Sequence, residues 1–205
     1  IVDGLAPGDQ LQSSVRISSF FDIFTELGGS LGGERETFSA SLSLDMKGTG
    51  SLGSYARTFV LPHVFEVHLA PRTACDPVQT FDTDMFRLQG QITGDPDFDL
   101  LRITAGTDFG LPSPGHTTIS RTESGRWAVD SFFDITYRID FVGAPGGPLA
   151  GHSGSTTGTI RIRQGVPIYV GDTCTASTGA TGTASLPADC PYTPENGATM
   201  NITEG

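Results

Sequence analysis

The stretch that decides the fold is Ser131–Phe141, SFFDITYRIDF. Every second residue from Phe133 to Phe141 is apolar (Phe133, Ile135, Tyr137, Ile139, Phe141), and Asp134, Thr136, Arg138 and Asp140 alternate with them. A period of two over that length predicts a β-strand with one buried and one wet face. The same word opens Ser19–Ile23, SFFDI. There the expected apolar face is Val15, Ile17, Phe21, Ile23 and Leu27, with Arg16, Asp22 and Glu26 opposite.

Working outward, further alternating runs predict strands over 13–27, 35–46, 58–69, 79–92, 98–105, 116–121, 126–142, 155–163 and 166–170, with a short last one over 199–202. Pro62 interrupts the third of these and marks a bulge or an edge position. Between the runs lie Gly- and Pro-rich turns such as GGSLGG at 28–33, KGTGSLGS at 47–54 and GAPGG at 143–147. No amphipathic helix of ten residues is visible. The expectation is an all-β chain, an antiparallel β-sandwich or jelly-roll-like fold.

Both copies of SFFDI are followed by a G-x-x-G-G region and a returning strand, which reads as a duplicated hairpin over 13–48 and 126–165. The domain expectation is one β-sandwich domain over 1–170 and an irregular segment over 171–205. The first copy lacks the long stretch that precedes the second. A neighbouring chain adding a strand at an exposed edge would supply the missing partner.

The chain has 205 residues, with 27 Gly, 13 Pro, 13 Phe and only 17% charged residues, and a net charge of −11. The negative charge argues against nucleic acid, which requires cations to displace counterions, and against an anionic membrane surface. No apolar run reaches the roughly 18 residues of a membrane helix. The chain opens at Ile1 and reads as a mature, processed form, secreted to the extracellular space or cell surface. Cys174 and Cys190 flank a loop of small residues and are expected to form a disulfide; a bridge closing such a loop is worth about 3 kcal/mol in the chain-entropy model. Cys75 is left over, free or paired between chains.

The stretch Gly106–Arg163, with AGTDFGLPSPGHTTISR from Ala105 and WAVDSFFDITYRIDFVGAPGGPLAGHSGSTTGTIRI from Trp127, resembles segments of uncharacterised secreted proteins of environmental bacteria in which VDSFFD-type strands recur. The resemblance implies an exported, β-rich protein and brings no catalytic residue with it.

Residues with possible chemistry are few. Gly151–Ser155 (GHSGS) fails the G-x-S-x-G pattern, because Ser155 stands where the last Gly belongs, and it sits between strands. His63 and His68 lie five apart on one strand and point to opposite faces, which suits no metal. Asp82, Asp84, Asp95, Asp97 and Asp99 form an acidic group, and Asp95–Asp99 starts like a calcium loop. Leu100 takes the place of the required Gly and Gly106 that of the Glu, so an EF-hand is excluded. A looser calcium site and a solvated Asp-rich turn remain as the two readings. Phe20 with Asp22, and Phe132 with Asp134, are the interface candidates. Asp22 and Asp134 also read as solvated residues that keep their strands from pairing wrongly. Trp127 shares parity with the core positions of its strand. Tyr55, Tyr169 and Tyr192 lie near strand ends, where a binding site could use them. Asn201-Ile202-Thr203 fits an N-glycosylation pattern.

The function expected from these features is that of an extracellular structural protein, a subunit of a surface layer, fibre or matrix built from copies of itself through β-strand edges. The alternative is a secreted β-sandwich module that binds carbohydrate or another surface ligand, with calcium in one version. No enzymatic activity is expected, and no cofactor beyond that calcium.

Overall fold

The computed structural model describes residues 2–73, 76–164, 168–170 and 192–203. The three cysteines lie outside them, so the expected Cys174–Cys190 bridge and the state of Cys75 do too, along with most of the segment 171–205.

The chain is all-β and almost wholly antiparallel. Its strands are β1 (Val2–Asp3), β2 (Leu11–Leu27), β3 (Glu34–Gly48), β4 (Ala56–Leu69), β5 (Val78–Thr93), β6 (Phe98–Ala105), β7 (Pro114–Arg121), β8 (Trp127–Gly143), β9 (His152–Gln164), β10 (Ile168–Val170), β11 (Tyr192–Pro194) and β12 (Met200–Ile202). The strands β1, β10, β11 and β12 have only two or three residues each, too few for a period of two to show; β1 and β11 are the two that the sequence pattern leaves out.

β8 alternates as its sequence demands. Trp127, Val129, Ser131, Phe133, Ile135, Tyr137, Ile139, Phe141 and Gly143 are buried, and the residues between them are not. β3 does the same from Phe38 to Met46. Each fully buried Phe or Leu contributes roughly 1.5–3 kcal/mol over leaving it in water. The two-layered packing expected of an all-β chain is reached with one sheet that rolls up. Pairing runs β2–β3–β4–β5, then through β6 and β7 to β8, and on through β9 and β11 back to β2. The apolar faces therefore meet across one core. Phe59 of β4 touches Phe98 of β6 edge-to-face at 5.5 Å although β5 lies between their strands.

β6 and β7 share one place in the ring. β6 pairs the second half of β5 and β7 the first half, and both pair β8. Ser113 sits at the break between them, fully buried. Its carbonyl accepts from Met85 N–H at 2.9 Å and its Oγ from Thr136 N–H at 3.2 Å. One residue thus replaces the missing ladder bonds, since buried backbone groups must find partners.

The ring is loose at β4–β5. Their pairing covers only Val64–Leu69 against Thr83–Gln89, and below it the strands part. Pro62 falls in this half of β4, whose backbone pairs with β3 alone among the described residues. That is the edge position Pro requires. His63 and Gly90 fill the top of the gap: a Cβ on Gly90 would lie 1.7 Å from the His63 ring.

β2 departs from its alternation. Ser19 and Asp22 have φ of 60° and 52°, and the β2–β3 register shifts between Ser18 and Phe21 and again between Phe21 and Phe24. These are two β-bulges, each of which adds a residue and flips the faces that follow. As a result Phe20 points into the core and Phe21, expected inside, is 52% exposed. The second bulge restores the expected parity, with Ile23 half-buried against the core, while Leu27, also expected inside, is 83% exposed at the end of the strand.

Candidate functional site

The two SFFDI words thus take different backbones and different neighbours. In β8 the word is flanked by β7 on one side and β9 on the other. In β2 residues 18–27 pair with β3 alone among the described residues, because β11 and β12 reach β2 only from Leu11 to Ile17. The outer half of β2 is therefore a strand edge. It carries Phe21, Phe24 (69% exposed) and Leu27.

Phe21 continues a row across the outer face, in register with Ser39 of β3 and through it with Val64 of β4, which is itself exposed. Phe21 and Val64 line a groove of about 460 Å³ with His63, Gln89, Gly90 and Gln91.

The interface candidates divide accordingly. Phe20 is buried against Phe38 and Tyr192, at 5.5 and 6.2 Å between ring centres. It offers no surface, and Phe21 takes that place because of the first bulge. Asp22 is exposed on the second bulge. Phe132 is half-buried under the Arg161 guanidinium, 4.2 Å above its ring. Asp134 accepts two hydrogen bonds from Arg161, at 2.7 and 2.6 Å, which hold its carboxyl below the usual carboxylate range.

The five aspartates do not converge. Asp84 and Asp95 are eleven residues apart along an extended β5 and its turn, a span of roughly 30 Å. Asp82 meets His116 at 2.9 Å, and Asp84 accepts from Thr107 Oγ1 at 2.8 Å. Asp95 and Asp97 both bind Arg57, which neutralises the charge a calcium ion would need. Asp99 lies exposed in β6. Among the described residues no three His, Cys, Asp or Glu side chains are grouped to hold a metal, and Asp95 and Asp97 lie in an arginine-bridged turn. Asn201 sits in β12, its amide donating to the Tyr137 hydroxyl at 3.3 Å and its side chain accepting from Thr199 Oγ1 at 3.1 Å. Trp127 is in the core as its parity requires, and so is Tyr192. Tyr55 donates to Asp97 at 3.2 Å.

Inside the ring is a cavity of about 70 Å³ between Phe20, Phe38, Phe65, Phe81 and Phe133, with Glu36 and Arg72 among its lining. An apolar site that takes benzene measures about 150 Å³, so this one has room for water and not for an organic ligand. Glu36 is half-buried there, and desolvation pushes its carboxyl up to about 7. Arg72 opposes that shift and Glu34 adds to it. Arg72 itself donates to Glu34 at 2.8 Å and lies 4.9 Å over the Phe81 ring.

A second group escaped the sequence reading. Gly28-Gly29-Ser30-Leu31-Gly32 fits the G-x-S-x-G spacing that Gly151–Ser155 fails. The turn sets Ser30 against His68, and Glu66 lies on the far side of the ring. The spacing could have flagged Ser30. Only the fold could supply its two partners, 36 and 38 residues further on.

No family model, curated protein or solved structure matches this chain.

Proposed function

We propose that the protein is an extracellular structural subunit that assembles with copies of itself through the outer edge of β2. One observation carries the reading: among the described residues, SFFDI has strands on both sides in β8 and on only one side in β2. An unpaired edge is a template for strand addition. The strand that satisfies the second copy of the word is itself part of this chain, so another copy of the chain offers the same chemistry.

Among the described residues, the lower half of β4, residues 56–62, pairs with β3 alone and is a second edge on the same β2–β3–β4 blade. Two different edges on one molecule favour a head-to-tail contact, which continues into a filament when its rotation does not close a ring. The bulges at Ser19 and Asp22 break the flatness of the edge, so a partner must match them. Phe21, Phe24 and Leu27 supply apolar surface for burial at the contact.

The carbohydrate-binding alternative has less behind it. Trp127 and Tyr192, which could have formed a stacking platform, are core residues.

The test is negative-stain electron microscopy with analytical ultracentrifugation on the wild type and on Phe24→Lys. Filaments or sheets that grow with concentration in the wild type, and are lost in F24K at unchanged circular dichroism, are the expected outcome. Monomers at all concentrations would overturn the proposal.

A further inference from the structure

Beyond assembly, the turn between β2 and β3 holds three polar side chains in a relay. Ser30 Oγ lies 2.8 Å from His68 Nδ1, and His68 Nε2 lies 3.0 Å from Glu66 Oε1. The Ser30 amide also points at Nδ1, at 3.0 Å. A backbone N–H can only donate, so Nδ1 is the acceptor of the ring and the proton of the neutral imidazole sits on Nε2, facing the carboxylate. That is the tautomer a general base requires when its nucleophile lies at Nδ1 and its orienting acid at Nε2.

The surroundings hold the ring in place. His68 is buried and stacks on Phe86 at 4.1 Å between ring centres and 25°. Gly29 has φ of 87°, and a Cβ there would lie 3.0 Å from His68 Cγ, so only glycine lets the turn close on the ring. Arg35 and Arg87 stand 3.8 and 4.0 Å from the Glu66 oxygens. Ser30 itself is exposed. It opens on a groove of about 510 Å³ walled by Leu27, Phe86 and Arg35.

We propose that Ser30, His68 and Glu66 form a hydrolytic site for short-chain carboxylic esters, with Ser30 the nucleophile, His68 the base and Glu66 the residue that positions the ring. Ser30 Oγ bonds to the ester carbonyl carbon while its proton passes to Nδ1. The resulting imidazolium is held by the Glu66 carboxylate. A protonated Nδ1 no longer accepts from the Ser30 amide. That N–H, and that of Leu31, which has no hydrogen-bond partner among the described residues, become the donors for the oxyanion. The carbon–alkoxy oxygen bond then breaks, and the leaving alcohol takes the proton from Nδ1. Water, deprotonated by His68 in the same way, attacks the acyl-serine and releases the carboxylic acid, which restores Ser30. The sum is ester plus water to acid plus alcohol. The acyl group meets Leu27 and Phe86. The openness of the groove sets no limit on the alcohol, which makes an ester carried on a larger molecule acceptable.

The test is labelling with a fluorophosphonate probe and turnover of p-nitrophenyl acetate by the full chain. The variants are Ser30→Ala, His68→Gln and Glu66→Gln, and each is checked for unchanged circular dichroism. Probe mass on the peptide containing Ser30 in the wild type is expected, with its loss in S30A and a fall of at least tenfold in rate in H68Q. In E66Q, kcat falls while KM holds. Trapping of the S30C thiol by iodoacetamide, made faster by His68, covers the case in which a serine variant is damaged. Absence of label in the wild type, label on another residue, or turnover that persists in S30A would overturn the site. The same assays on F24K separate this proposal from the assembly reading, since that variant leaves the three residues in place.

Discussion

Arg57 of β4 binds Asp95 of the β5–β6 turn through both of its terminal nitrogens, at 2.6 Å to Oδ1 and 2.5 Å to Oδ2. The pair crosses the seam where β4 and β5 share no backbone bonds. The same guanidinium reaches Asp97 at 2.5 Å and lies 4.6 Å from the centre of the Phe59 ring. Bidentate geometry of this kind is the strong form of an ion pair. Arg57→Ala should cost about 2 kcal/mol, because it strands two partly buried carboxylates as well as removing the bonds. Arg57→Lys should recover only part, since an ammonium cannot serve both oxygens at once. Urea unfolding of the three proteins measures this. Equal stability of R57A and wild type would show the seam to be held by Phe59 and Phe98 alone.

Gly90 and His63 close the upper end of the same seam. Gly90→Ala places a methyl carbon inside the imidazole ring, and the ring must move. A loss of about 1–3 kcal/mol is expected from overpacking. His63→Ala in the same chain should return a good part of it, because the two changes share one space and are not additive. A double-mutant cycle by thermal unfolding reads the coupling.

The bulge at Ser19 makes a sharp contrast between neighbouring phenylalanines. Phe20→Ala should cost about 3–5 kcal/mol as a core truncation. Phe21→Ala should stay within about 0.5 kcal/mol, as surface changes do. A regular strand would give the reverse order, so chemical denaturation of the two variants decides the backbone conformation without a further structure.

The carboxyl of Glu36 gives the pH dependence. Its folded pKa of about 7 stands above its ordinary 4.5, so the folded state holds the proton more tightly than the unfolded one. The stability this confers is complete below about pH 4.5 and is lost as the pH rises through 7. Glu36→Gln should flatten that decline and stabilise the protein at pH 8 by on the order of 2 kcal/mol. Asp95 and Asp134 act in the opposite sense. Arg57 and Arg161 lower their pKa values, so their contribution is present above about pH 4 and vanishes as the pH falls below it. Urea titrations from pH 3 to 8 should therefore pass through a maximum near pH 5. A stability still rising from pH 5 to 8 would place Glu36 in water.

Much of this architecture can be read from the chain. The alternation of β3 and β8 fixes which side chains are buried, because a period of two leaves one face for water. The turns follow from Gly and Pro, and Pro62 marks its own edge. The same reasoning fails between Ser19 and Asp22, where SFFDI promises one face for its two phenylalanines and the backbone delivers the other. Two residues in the left-handed region reset the parity, and Ser19 and Asp22 carry no mark that a glycine would have shown.

The chain by itself therefore determined an antiparallel all-β protein with its core positions and most of its strand limits, because those depend on local spacing. The closure of the sheet, the parting of β4 from β5 and the capture of Asp82, Asp84, Asp95 and Asp97 by arginine or polar neighbours were decided by tertiary structure. So was the meeting of Ser30 with His68 and Glu66. Each of these depends on residues dozens of positions apart, and a contact between them exists only once the strands have found their register.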